Sequence, residues 1–194
     1  MLQKQAKALS AAQIRAMESY LSGTRRPIRN RVVFLLSVRA GLRAKEIAGL
    51  SWNMVTDAQG DLSNTIRLTN AAAKGNSGGA IPLAKELQAA LEALRQVSLT
   101  PFGTTSVVQT ERSQSTSPQV IVNMFRDWFQ ALGFDGCSSH SGRRTFITMA
   151  ARNIGRFGGS LRDVQTLARH SSLAMTQRYI EIDSRAMKRV VDGW

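Results

Sequence analysis

The stretch Val32-Val-Phe-Leu-Leu-Ser-Val38 constrains this chain more than any other feature. Six of its seven residues are apolar and no polar face recurs, so it must be covered on all sides. A buried helix is the simplest solution, with the other elements packed around it. Gly41 interrupts the run, and Leu42–Leu50 (LRAKEIAGL) restarts as a short amphipathic helix. Upstream, Arg25–Arg31 reads as a basic connector. Before it, Ser10-Ala-Ala-Gln13 has the form of a capping box, with Ile14, Met17 and Leu21 at helical spacing as far as Ser22-Gly23-Thr24.

The texture changes after Ser51. Thr65-Ile-Arg-Leu-Thr69 alternates as a strand does, and Ala80-Ile-Pro-Leu83 is placed to pair with it across a loop, Asn70–Gly79, that holds three glycines and Lys74. Residues 84–97 return to helix, with Leu87, Leu91 and Leu94 on one face. Residues 98–116, rich in Ser, Thr and Gly, read as a surface loop. Ser117-Pro118 supplies an N-cap and a proline at N1 for a helix through Leu132. Short helices are expected at about 139–152, 160–169 and 172–180, and a basic one at about 183–191. The expected fold class is mainly α with one small antiparallel β-sheet (α+β).

A length of 194 residues suits one domain, and 43% hydrophobic residues suffice for a core. The single cysteine, Cys137, excludes an internal disulfide and a four-cysteine zinc site. No apolar run is long enough to span a bilayer, and MLQKQAKALSAAQ lacks the apolar region of a secretory signal, so a cytoplasmic location is expected. The charge is more informative. Lys+Arg total 26 against 13 acidic residues, a net +13. The first fifty residues carry +8 and the last forty-four +4, with a nearly neutral middle, so folding is expected to gather the two ends on one face. Arginine accounts for 20 of the 26 cations, and its planar fork matches phosphate oxygens two at a time. A nucleic-acid partner fits this balance better than a merely soluble surface does, because solubility needs no preference for arginine.

Several residues could carry chemistry on such a partner. His140 and Arg143, three apart, share a face if both lie on one helix. Arg43, just after the buried run, can be anchored rigidly, whereas Lys74 sits on a glycine-flanked loop able to swing. His170 and Tyr179 bracket a capped helix start. Each has a plain alternative: a helix that happens to hold both His140 and Arg143, a solvated Lys74, a core aromatic at Tyr179. Together they form a phosphate clamp (Arg43, Arg143), hydrogen-bond donors (His140, His170), a proton donor (Lys74) and a nucleophile (Tyr179). That set suffices for metal-free phosphoryl transfer, in which positioning and charge neutralisation are most of the work.

With these residues in place, the chain resembles the catalytic domain of the tyrosine recombinase (phage integrase) family. The matching segments are RAGLRAKEIAGLSW (39–52), the Lys74 hairpin, SHSGRRTF (139–146) and ARHSSLAMTQRYIEID (168–183), in the family's order. The resemblance covers about residues 10–183 and implies one catalytic domain over 1–194 without the usual N-terminal DNA-gripping helical domain. It places the catalytic arginines at Arg43 and Arg143, the lysine at Lys74, the histidine positions at His140 and His170 and the nucleophile at Tyr179, with Glu46 bracing the site. Three positions depart from the family pattern. Gly142 replaces an apolar residue, Arg144 a frequent histidine, and Arg169 the glycine that usually precedes the second histidine.

The resemblance further implies site-specific cleavage and rejoining of double-stranded DNA through a 3′-phosphotyrosine, with no metal, ATP or other cofactor. His140 would accept the phenolic proton, which is ordinarily lost only near pH ~10, and Lys74 would protonate the departing 5′-oxygen. It also implies a homo-tetramer on DNA at the nucleoid, and leaves open a monomer in solution and DNA-bending accessory proteins. The tail 183–194, with Met187, Val190, Val191 and Trp194, would dock on a neighbour or fold back on its own domain. Rival readings are a non-catalytic DNA-binding relative and a type IB topoisomerase. An RNA-binding module is weaker, since aromatic residues total only 6%.

Overall fold

The computed structural model describes residues 6–73, 78–98, 105–111, 113–180, 188 and 191–193. Its α-helices are α1 (Ala11–Ser22), α2 (Pro27–Ala40), α3 (Ala44–Ala48), α4 (Lys85–Gln96), α5 (Pro118–Ala131), α6 (Ser141–Asn153), α7 (Leu161–Ala168) and α8 (Leu173–Gln177). Short 3-10 turns occupy Trp52–Met54 and Ile154–Phe157. Between α3 and α4, β1 (Thr65–Leu68) and β2 (Gly79–Pro82) form a two-stranded antiparallel sheet, with Ile66 opposite Ile81. The architecture is mainly helical with one small sheet, as the periodicities predict.

Helix α2 is the buried axis. It carries the apolar run, and α1, α4 and α6 pack around it. It begins earlier than expected. Pro27 sets φ for the first turn, so much of the basic connector is helical. Its arginines find partners there: Arg29 donates to the Gln109 carbonyl at 3.2 Å, and Arg31 pairs with Glu18 at 3.2 Å and Glu86 at 3.4 Å. Gly41 ends the helix at φ 63°, and a Cβ there would collide with the Phe146 ring of α6. Gly142 lets α6 approach just as closely, because a Cβ would overlap Ser37 and lie 3.1 Å from Val38 Cγ1. The departure from an apolar residue at 142 therefore has a packing cause.

The segment 98–116 is not simply a surface loop. Val107 and Val108 are buried, the Val107 N–H donates to the Leu50 carbonyl at 2.9 Å, and Ser51 bridges Ser106. Two β-branched residues inside a polar segment are drawn into the core beside Trp52. The opposite face of α6 makes a second, smaller cluster, Ile147 with Val164 and Ala168, against which Tyr179 packs. Helix α6 thus joins the α2 core to the α7–α8 pair. Most of the basic helix expected at 183–191, and Met187, Val190 and Trp194 with it, lies outside the described residues, whereas Val191 is exposed.

Candidate active site

Arg143, on the first turn of α6, is buried and held by backbone. Its Nη1 donates to the Gly41 carbonyl and its Nη2 to the Ala168 carbonyl, both at 2.6 Å. These carbonyls sit at the C-terminal ends of α2 and α7, where unsatisfied acceptors and the negative ends of the helix dipoles favour a cation. Burial, with repulsion from Arg43 next, lowers its pKa to about 10, which leaves it charged at neutral pH.

Arg43 caps α3. Its N–H donates to Glu46 Oε2 and its Nη1 to Oε1, both at 2.8 Å, so the carboxylate closes the first turn and holds the guanidinium together. Glu46 is fully buried and receives a second guanidinium, Arg169 Nη2, at 2.7 Å. His170 is also buried, and its Nδ1 lies 2.9 Å from the Thr176 hydroxyl. Burial first, then the charges of Arg143, Arg43 and Arg169, push its pKa down to about 4, so the imidazole is neutral at physiological pH. The Tyr179 ring stacks on it with centroids 5.5 Å apart, and the Arg144 guanidinium lies 5.7 Å from the Tyr179 centroid.

These elements surround a cleft of about 530 Å³. Arg43, His140, Arg143, His170 and Tyr179 line it, together with Arg144 and Arg178. No carboxylate stands among the described lining residues, so the cleft suits an anion. Five of the seven side chains singled out in the sequence thus meet at one place, and Glu46 lies behind Arg43. His140 is the exposed N-cap of α6 and Arg143 stands three residues on in its first turn, and both line the cleft. Lys74 lies outside the described residues, but the hairpin that carries it abuts the site: a Cβ at Gly79 would lie 3.6 Å from Arg169 Cδ.

Sequence reasoning named Arg144 and Arg169 only as departures and did not find Thr176. The signal for Arg169 was an arginine standing where a helix C-cap favours glycine; Thr176 had none. Among the described residues no group of three or more His, Cys, Asp or Glu side chains gathers to hold a metal ion, and no helix is long and apolar enough to cross a membrane. A larger cleft of about 670 Å³ lies between the start of α2 and residues 94–98, 107–111 and 113–114. Among its described lining residues are no histidine, tyrosine or cysteine, and its Arg26 and Arg29 are engaged by Glu111 and the Gln109 carbonyl.

The profile of the phage integrase family matches residues 7–185. Among curated proteins, tyrosine recombinase XerC of Brucella suis biovar 1 (strain 1330) is 29% identical over 168 residues, covering 84% of this chain and 50% of its own length. XerC of Methylobacterium sp. (strain 4-46) is 33% identical over 161 residues, covering 80% and 46%. The chain therefore spans about half the length of the curated relatives it matches. The fold superposes on the crystal structure of XerA recombinase with a TM-score of 0.72 at 21% identity, over 100% of this chain and 65% of that one. For the Tn1549 transposon integrase in complex with circular intermediate DNA the values are 0.73 and 18%, over 98% and 66%. For XerH recombinase bound to difH substrate they are 0.72 and 19%, over 98% and 55%.

Proposed function

This chain belongs to the phage integrase family of tyrosine recombinases, and on that premise we propose that it cuts and rejoins double-stranded DNA at specific sites through a 3′-phosphotyrosine. The observation that carries the proposal is the cleft in which two fixed guanidiniums, a neutral imidazole and a phenol meet, with no carboxylate among its described lining residues.

Arg43 and Arg143 bind the non-bridging oxygens of one phosphodiester and offset the charge that builds in the transition state. Because His170 is neutral, it acts as a hydrogen-bond donor. The Thr176 hydroxyl lies 2.9 Å from Nδ1; in the tautomer in which it donates there, the proton resides on Nε2 and is offered to the phosphate. Tyr179 Oη attacks phosphorus, its proton passes to His140, and the bond to the 5′-oxygen breaks. Lys74 protonates that oxygen as it leaves. The phosphotyrosine conserves the energy of the broken linkage, so an incoming 5′-hydroxyl reverses both bond changes without ATP. On this reading residues 1–194 act as one catalytic unit at the nucleoid, and four copies assemble on two DNA sites. The Tn1549 transposon integrase in complex with circular intermediate DNA supports DNA as the substrate, and XerH recombinase bound to its difH substrate agrees with it.

The test uses randomised duplexes nicked near the centre, so that the fragment released by cleavage diffuses away and traps the covalent intermediate. The wild-type chain is expected to yield a DNA adduct that survives denaturation, and sequencing the captured DNA identifies the site. Tyr179→Phe is expected to form none while binding the same duplex within about threefold. An adduct that persists in the Phe variant removes Tyr179 as nucleophile. Binding without any wild-type adduct identifies a non-catalytic relative.

A further inference from the structure

Arg169 is the one described residue other than glycine with a left-handed backbone, φ 53° and ψ 47°. It ends α7, where its own N–H donates to the Thr166 carbonyl and the His170 N–H to the Gln165 carbonyl. Glycine makes this turn without strain, and an arginine is held in it against its own preference. Its side chain is only 5% exposed, and Nε and Nη1 are buried without a partner among the described residues. Both features oppose stability, so the position is not explained by helix capping.

What the side chain does is reach across the fold. It passes Gly79 of β2 and ends on Glu46 Oε2 at 2.7 Å, joining residues 123 apart. The other oxygen of Glu46 is held by Arg43 Nη1. Alone, Arg43 and Glu46 form a neutral pair in which the cation is already answered inside the protein. With Arg169 the trio carries a net charge of +1, and Arg143 stands beside it.

We propose that Arg169 is a positioning residue for strand cleavage: it takes one oxygen of Glu46, pins that carboxylate against the Arg43 backbone, and leaves the charge of Arg43 to the phosphate in the cleft. The inference rests on the reading of the cleft as a phosphodiester site. Arg169 touches no reacting atom and acts through Glu46 and Arg43.

The test compares the chain with R169G and R169K in single-turnover adduct formation at saturating nicked duplex, with DNA affinity and thermal melting measured in parallel. R169G is expected to lose at least tenfold in rate while its affinity changes less than threefold. R169K, which keeps a cation beside Glu46, is expected to recover part of the rate, and free ethylguanidinium to accelerate R169G without affecting the wild type. A helix cap alone predicts the opposite order, with glycine equal to or better than arginine. R169G cleaving at the wild-type rate overturns the proposal, as does a slow R169G that neither lysine nor ethylguanidinium relieves. Absence of adduct with the wild-type chain instead overturns the recombinase reading, and this inference falls with it.

Discussion

At Arg143 the demands of binding and packing coincide, because its guanidinium occupies two backbone carbonyls and still faces the cleft. Arg43→Ala and Arg143→Ala are each expected to slow adduct formation by about 10²-fold or more, measured in single turnover. His170 makes a separate prediction about pH. Its folded pKa of about 4 lies below the ordinary value of 6.5, so the unfolded chain takes up this proton first. The stability it contributes is present above pH 6.5 and is lost as pH falls toward 4. Melting temperature should therefore decline across that window, and His170→Gln should flatten the decline. The residues that meet in the cleft were readable at this scale because chemistry restricts residue types: guanidinium suits a phosphate, and a metal-free attack calls for a nucleophile such as tyrosine. Thr176 was not, since its value lies in a 2.9 Å approach to His170 that no pattern of letters announces.

Elements were legible where short-range chemistry decides them. The capping box at Ser10 forms with Gln13, and Ser117 accepts from the Val120 N–H at the head of α5, both as the local sequence predicts. They were less legible where distant partners decide. The charged residues 29 and 31 join α2 because Gln109, Glu18 and Glu86 receive them, and Val107 is inward because Leu50 offers it a carbonyl. The α2–α6 contact has the same origin, since Gly142 is meaningful only against Ser37. Gly142→Ala is expected to destabilise the fold by about 1–3 kcal/mol through overpacking, read as a lower midpoint in denaturant. Ser37→Gly in the same chain should restore much of that loss. Ser37→Ala alone should cost little, because its buried hydroxyl has no partner among the described residues to lose.

Across the whole molecule, the cleft draws Arg43 from the basic first part of the chain and Arg178 from the basic last part, with Arg143 and Arg144 between them. Binding to duplex DNA should weaken with salt at a log–log slope of about −0.9 per phosphate. If Arg43 and Arg143 share one phosphate, as proposed, these four arginines engage about three and account for a slope near −2.7. Titrating affinity between low and moderate salt checks the figure, and a slope near zero removes the cleft as a DNA surface.

The fastening of Arg143 to two helix ends has a practical outcome. Its carbonyl partners belong to stretches 102 and 25 residues away, so the same plane of nitrogens proposed to grip a backbone ester also rivets three parts of the polypeptide. Removing it strands two interior acceptors and should loosen the scaffold while it silences the reaction. Inactive protein for crystallisation or for trapping bound DNA is therefore better made at the phenol, whose hydroxyl can be deleted without unseating any helix.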